Sequence, residues 1–179
     1  MSDRRFGTGS RGLLKSALPQ WSFFGDNSMD LASDFNEFIG SLNAHGVEFL
    51  IVGAYALAFH GAPRFTGDLD LFVRPTPDNA AKVLDAVRAF GFPVEELQPN
   101  DLTDPRRILE MGIEPVQIHV MSAVSGVSWE DAWRTRAAGR CGEHAVSFLG
   151  REAFLRNKRA SARPKDLADI DALEPGRAS

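Results

Sequence analysis

Two strand-length apolar runs follow one another closely, Val47-Glu48-Phe49-Leu50-Ile51-Val52 and Asp68-Leu69-Asp70-Leu71-Phe72-Val73. Both are short and rich in branched or aromatic side chains, as a buried strand requires. Gly53 closes the first. Ala54 to His60 then read as a short helix, stopped by Gly61 and Pro63. Strand, short helix and strand in such close succession commit this part of the chain to a sheet with a helix against it.

The second run carries the chemistry. Side chains two apart on a strand point to one face, so Asp68 and Asp70 stand side by side while Leu69, Leu71 and Val73 take the core face. Two carboxylates this close repel unless a proton or cation intervenes. A pair of hard oxygen donors suits Mg2+ or Mn2+, whose coordination is commonly completed by substrate phosphates. A bare Asp-x-Asp is also what two solvated acids at the start of a strand look like. The setting argues for more. Gly53 lets a backbone approach a ligand closely, the N-terminus of the helix after it favours an anion, and Arg64 and Thr66 add a cation and a hydroxyl between the two strands.

The remaining pattern surrounds this unit with helices and further strands. Leu31, Phe35, Phe38, Ile39 and Leu42 fall on one helical face, with Ser28 or Asp30 able to cap the start and Gly46 to stop it. Thr76-Pro77 opens a helix through Val83, Val87 and Phe90 that ends at Gly91. Residues 92–104 read as loop. Arg107 to Met111 and Val116 to Met121 read as strands around a Gly112–Pro115 turn. Ser128 starts a helix carrying Trp129 and Trp133, with Asp131 in the place of the usual capping-box acid. A strand near Ala145 to Leu149 and two helices, about 151–160 and 165–174, complete the chain. The order α-β-α-β-α-β-β-α-β-α-α predicts a mixed α/β (α+β) sheet flanked by helices, with a C-terminal helical segment. Residues 1–28, rich in Gly, Ser and Arg, read as a flexible arm on which Trp21, Phe23 and Phe24 are candidates for docking. Residues 29–179 form the domain, its helical part spanning 151–174.

Charge and composition exclude some classes. With 20 Lys and Arg against 24 Asp and Glu, the net charge is −4, without the cationic footprint of a chain that lives on nucleic acid. Arg151, Arg156, Lys158, Arg159, Arg163 and Lys165 do form a local basic stretch. No apolar run approaches the roughly 18 to 20 residues that span a bilayer, and the N-terminus has no secretory pattern. The single Cys141 precludes an internal disulfide and fits a structural role in a cytoplasmic protein.

The stretch VEFLIVGAYALAFHGAPRFTGDLDLFV resembles the signature of the nucleotidyltransferase superfamily: strand, Gly-(Gly/Ser), helix, then an Asp-x-Asp strand. The segment LRNKRASARPKDLADI resembles the Lys…Lys-Asp-x-x-Asp segment of small bacterial toxin–antitoxin and abortive-infection nucleotidyltransferases. The resemblance covers roughly residues 30–174. It implies a polymerase-beta-like sheet, an NTP substrate with Mg2+ or Mn2+, and as acceptor an RNA end such as tRNA, or a protein hydroxyl. A cognate antitoxin is the implied partner, and no membrane is.

Carried over by residue, the resemblance implies that Asp68 and Asp70 bind metal and that Gly53 and Ala54 approach the phosphates. Lys158 contacts the triphosphate, and Asp166 or Asp169 belongs to the distal catalytic motif, with Lys165 beside them. As a helix-surface lysine, Lys158 is expected to contribute under about 0.5 kcal/mol to stability. Two positions depart from the pattern. Ala54 stands where relatives carry Gly or Ser, and His119 stands on a strand where they often carry an acid. Turnover is therefore expected to be slow, with Mn2+ favoured because imidazole suits softer ions. The alternatives are a nucleotide-binding module on the same fold and, less well matched in spacing and length, an Asp-x-Asp glycosyltransferase.

Overall fold

The structure is a computed structural model and describes residues 6–7, 33–113 and 116–175. Helix α1 (Ser33–Ala44) buries Phe35, Phe38, Ile39 and Leu42 along one stripe. Gly46, at φ +63°, turns the chain out of the helix. Strand β2 (Phe49–Ile51) follows, buried throughout. Helix α2 (Gly53–Phe59) then leads to β3 (Asp68–Val73), which returns antiparallel to β2 with Leu50 opposite Phe72.

Helix α3 (Pro77–Phe90) begins as its sequence predicts, with Thr76 Oγ1 accepting from the Asn79 N–H and Pro77 in the first turn. Asn79 fixes the helix to the sheet. Its side chain accepts from the Glu48 N–H and donates to the carbonyls of Glu48 and Arg74. Helices α1 and α3 pack together through Phe38 and Phe90, with ring centroids 5.0 Å apart.

Strands β4 (Ile108–Ile113) and β5 (Val116–Met121) form an antiparallel pair, and β5 lies parallel to β3. The short helix α4 (Trp129–Arg134) is capped by Ser128 and sets Trp129 edge-on to Phe72 at 5.1 Å. Strands β6 (Ala137–Cys141) and β7 (His144–Phe148) form a second antiparallel pair, and β7 joins β2 in parallel. Helices α5 (Arg151–Ser161) and α6 (Pro164–Leu173) close the domain.

One mixed sheet results. With the two-residue strand β1 (Phe6–Gly7), its order is β1-β4-β5-β3-β2-β7-β6. The predicted mixed sheet with flanking helices is what forms. Three local readings differ. Strand β6 was not expected, because Ala-Ala-Gly-Arg-Cys has little strand propensity; pairing with β7 and packing create it. A turn of 3-10 helix, Pro99–Leu102, interrupts the expected loop. Phe6 and Gly7, within the expected arm, pair with Leu109 and Glu110. The rest of the arm, with Trp21, Phe23 and Phe24, lies outside the described residues, as do Ser28, Asp30, Leu31, Glu114 and Pro115. Among the described residues no helix is long and apolar enough to cross a membrane.

Candidate active site

The strand register builds the floor of the site. Asp68 pairs with Gln117 and Asp70 with His119 across β3 and β5, while His119 pairs with Glu110 across β5 and β4. Directly paired residues point to the same face, so Asp70, His119 and Glu110 form one row. All of these polar residues line a cavity of about 730 Å³. The neighbouring Leu69, Leu71, Ile118 and Val120 are buried on the core side, which pins the register.

Gly53 shows why this position has no side chain. Its φ is +63°, and a Cβ there would collide with the Asp70 carboxylate. The backbone joins the two strands at the same place, where the Val52 N–H donates to the Asp70 carbonyl at 2.9 Å. Asp70 is thus seated against the start of α2. Asp68 is held from its other side: its N–H donates to Thr66 Oγ1 at 3.1 Å, and the Thr66 hydroxyl donates back to the Asp68 carbonyl at 3.3 Å. Thr66 is buried and is not among the residues lining the cavity, and the same is true of Ala54, whose methyl packs into the core.

His119 donates through Nδ1 to Asp70 Oδ1 at 2.9 Å. That hydrogen bond raises the imidazole's pKa above its ordinary value against the opposing effect of burial, with the charges of Asp70, Asp68 and Glu110 adding to it. His119 therefore favours its charged form more than a free histidine does.

The other side of the cavity is cationic, and sequence alone did not reveal how. Lys158 is 4% exposed. Its ammonium sits between Asp166 Oδ1 at 2.9 Å and Asp169 Oδ2 at 2.8 Å. Arg64 donates to both oxygens of Asp169, at 2.8 and 3.3 Å, and Arg163 donates to both oxygens of Asp166, at 2.6 and 3.2 Å. Burial pushes the Asp166 carboxyl up, but the bonds from Arg163 and Lys158 outweigh it and hold the pKa at about 2. The Asp169 carboxyl is lowered in the same way, burial being outweighed by Arg64 and Lys158.

Of the predicted residues, Gly53, Arg64, Asp68, Asp70, His119, Lys158 and Lys165 all line one cavity. Asp166 and Asp169 stand behind it, almost wholly buried. Lys158 is a buried lysine whose ammonium is taken up by Asp166 and Asp169, so neither the expected direct contact with a triphosphate nor the negligible contribution to stability expected of a surface lysine fits its position. Glu110 and Arg163 also line the cavity. The alternation of β4 would have placed Glu110 on a face, but only the β4–β5 register shows that it is the face of His119.

The residues fit a divalent ion. Asp68 and Asp70 offer hard oxygen donors on one face, at the wall of a cavity large enough for a nucleotide. Among the described residues no three His, Cys, Asp or Glu side chains form a ready ligand group. Mg2+ sites built on one or two carboxylates, completed by substrate phosphates and water, have this character.

The two ANT(2'')-Ia structures below share the fold. TM1012 of Thermotoga maritima is 11% identical, covering 78% of this chain and 88% of that one with a TM-score of 0.49. ANT(2'')-Ia bound to adenylyl-2''-tobramycin is 12% identical, covering 78% and 84% with a TM-score of 0.51. A solution structure of the same antibiotic-resistance factor is 13% identical, covering 79% and 80% with a TM-score of 0.51. No curated protein sequence matches. The family described as nucleotidyl transferase of unknown function (DUF2204) matches residues 31–175, and the chain belongs to that family.

Proposed function

We propose that the protein transfers a nucleotidyl group from an NTP to an acceptor hydroxyl, using Mg2+ or Mn2+ held by Asp68 and Asp70. One observation carries this reading: a pair of carboxylates on the cavity floor faces Arg64, Lys158, Arg163 and Lys165 in the same cavity. The bound ion would supply positive charge at the phosphoryl oxygens. The chain itself supplies position. Thr66 fixes the backbone of Asp68 and Gly53 leaves room for the Asp70 carboxylate, and Arg64, Arg163 and Lys165 balance the charge of the departing pyrophosphate. The acceptor oxygen bonds to the α-phosphorus as the bond to the β-phosphate breaks, a transfer that depends on alignment and charge neutralisation. Glu110, at the outer end of the row, is the carboxylate suited to take up the acceptor's proton.

The proposed setting is cytoplasmic. The proposed acceptor is an RNA end such as tRNA or a protein hydroxyl, in a toxin–antitoxin pair whose antitoxin binds this domain. The ANT(2'')-Ia complex adds a small-molecule sugar hydroxyl to the acceptors worth assaying. A second reading, a nucleotide-binding module with weakened catalysis, is favoured by the hydrogen bond that ties Asp70 to His119.

The test is incubation with each α-labelled NTP, total RNA, cell protein and aminohexose substrates, in Mg2+ and in Mn2+. Label transferred by wild type and lost in the Asp68→Asn, Asp70→Asn double variant is the expected result. In parallel, metal with NTP should raise the Tm of wild type by mass action but not that of the double variant. Stabilisation without transfer would favour the binding module. An identical thermal shift in both proteins would remove the metal assignment.

A further inference from the structure

The floor of the cavity changes character along its strands. The row of Asp70, His119 and Glu110 is polar, and in the next row Phe72 pairs with Met121 and Met121 with Ile108. Three apolar side chains therefore share the site's face. Phe72 is buried against Trp129, whereas Ile108 and Met121 line the cavity together with Ala123, Val124 and Ala160. Ile108 stays 38% exposed. The walls of this apolar compartment are fixed. Ser122 donates to the Asp104 carbonyl at 3.2 Å, and the Asn157 amide on α5 donates to the Ser125 carbonyl at 3.0 Å. Gly126, at φ +73°, lies so close to α5 that a Cβ there would come within 2.6 Å of the Ala160 methyl. The loop after β5 is thus held against α5, and a compartment already formed costs little ordering when it is filled.

Charge is segregated in the same way. The lysines and arginines that line the cavity, Arg64, Lys158, Arg163 and Lys165, come from the segment before β3 and from α5, α6 and the turn between them. None comes from β4, β5 or the loop after β5. Arg106 and Arg107, next to Ile108 in the chain, pair with Asp104 and Asp101 and do not line the cavity. His119 turns Nδ1 to Asp70. The charge that adjoins the apolar pair is Glu110, two residues from Ile108 on the same face of β4. An RNA end brings phosphates, which need cations to hold them. This side of the cavity offers an acid and apolar surface instead.

We propose that Ile108 and Met121 form the acceptor subsite, and that the acceptor is a hydroxyl borne beside an apolar group and without phosphate, on a protein side chain or a small organic molecule, rather than an RNA end. The proposal rests on the nucleotidyl-transfer reading and names its acceptor class. Entering and leaving oxygens stand roughly in line during the transfer. With pyrophosphate departing toward Arg64, Arg163 and Lys165, the acceptor approaches from the side of Glu110, where the compartment lies. Its hydroxyl oxygen bonds to the α-phosphorus, the bond to the β-phosphate breaks, and the proton passes to Glu110. The neighbouring apolar group is buried on Ile108 and Met121, which therefore determine specificity without taking part in the chemistry.

The test follows label from each α-labelled NTP into clarified cell extract, in Mg2+ and in Mn2+, and divides the products into ribonuclease-sensitive, protease-sensitive and small organic fractions. Wild type is compared with Ile108→Ser, Ile108→Leu and Ile113→Ser. Ile113 is 63% exposed on the other face of β4 and does not line the cavity, so its variant removes the same apolar group elsewhere. Calorimetry with the labelled NTP's unlabelled form measures nucleotide binding for each protein. Label should enter the protein or the small organic fraction, and which of the two identifies the source of the hydroxyl. Ile108→Ser should cut this labelling about tenfold, while Ile108→Leu and Ile113→Ser stay within about twofold of wild type. Nucleotide affinity should be the same in all four proteins. Ribonuclease-sensitive label, or undiminished labelling by Ile108→Ser, would overturn the proposal and leave nucleotidyl transfer standing. So would an equal loss of NTP affinity in Ile108→Ser, which would make the compartment the seat of the nucleobase. Absence of label from wild type with every NTP would overturn both readings.

Discussion

At position 119 a single side chain separates two kinds of protein. A carboxylate there would add negative charge beside Asp70, strengthening the hold on a divalent ion. The imidazole instead donates to Asp70 Oδ1 and competes with metal for that oxygen. The hydrogen bond to Asp70 also favours the protonated ring, which sharpens the competition. His119→Asp should therefore tighten Mg2+ binding and raise the transfer rate severalfold; a preference of wild type for Mn2+ over Mg2+ would show instead that the ring gives up its proton and turns to the metal. Should His119 instead act on the substrate, His119→Ala would abolish turnover and His119→Asp would bring no gain. Transfer rates and metal titrations of both variants, in each ion, separate these cases.

Among the elements, β6 depends most on its surroundings. Gly139 lies where the stacked rings of Phe59 and Phe148, 4.2 Å apart, press against the strand. A Cβ at Gly139 would come within 2.6 Å of Phe59 and 3.0 Å of Phe148. Gly139→Ala should thus destabilise the protein by about 1–3 kcal/mol through overpacking, although alanine is ordinarily the better strand residue. Urea midpoints of the two proteins check this, and an unchanged midpoint would show that the rings move aside freely. The helix pair α5–α6 is secured differently, by ion pairs that reach α6 from Arg64 in the segment between α2 and β3.

For the whole molecule, that network predicts a pH dependence. The Asp166 pKa of about 2 lies below the unfolded value of about 3.9. The carboxylate's contribution, on the order of 2 kcal/mol, is thus complete above about pH 4 and is lost as pH falls through the folded pKa. Asp169, lowered likewise, acts in the same direction. Urea midpoints should fall between pH 4 and pH 2. Lys158→Met, which leaves the two buried carboxylates with one guanidinium each, should cost about 3–5 kcal/mol at neutral pH and move the acid transition upward. An acid transition that stays in place would show that other carboxylates govern it.

The local pattern was enough to read the unit around Gly53 and the Asp-x-Asp strand, because period-two alternation and a glycine turn are properties of neighbouring residues. The capped start and glycine stop of α3 were legible for the same reason. The C-terminal Lys-Asp-x-x-Asp segment announced itself as a motif, but its work was hidden. Whether Lys158 faces water or two aspartates depends on how α5 meets α6, and Arg64 reaches Asp169 only because the fold brings distant segments together. Glu110 joined the site through strand register, and β6 through its partner strand and two stacked rings. Propensity and periodicity act over a few residues. Register, burial and ion pairing are settled between segments far apart in the chain, so they were decided only when the sheet and its helices assembled.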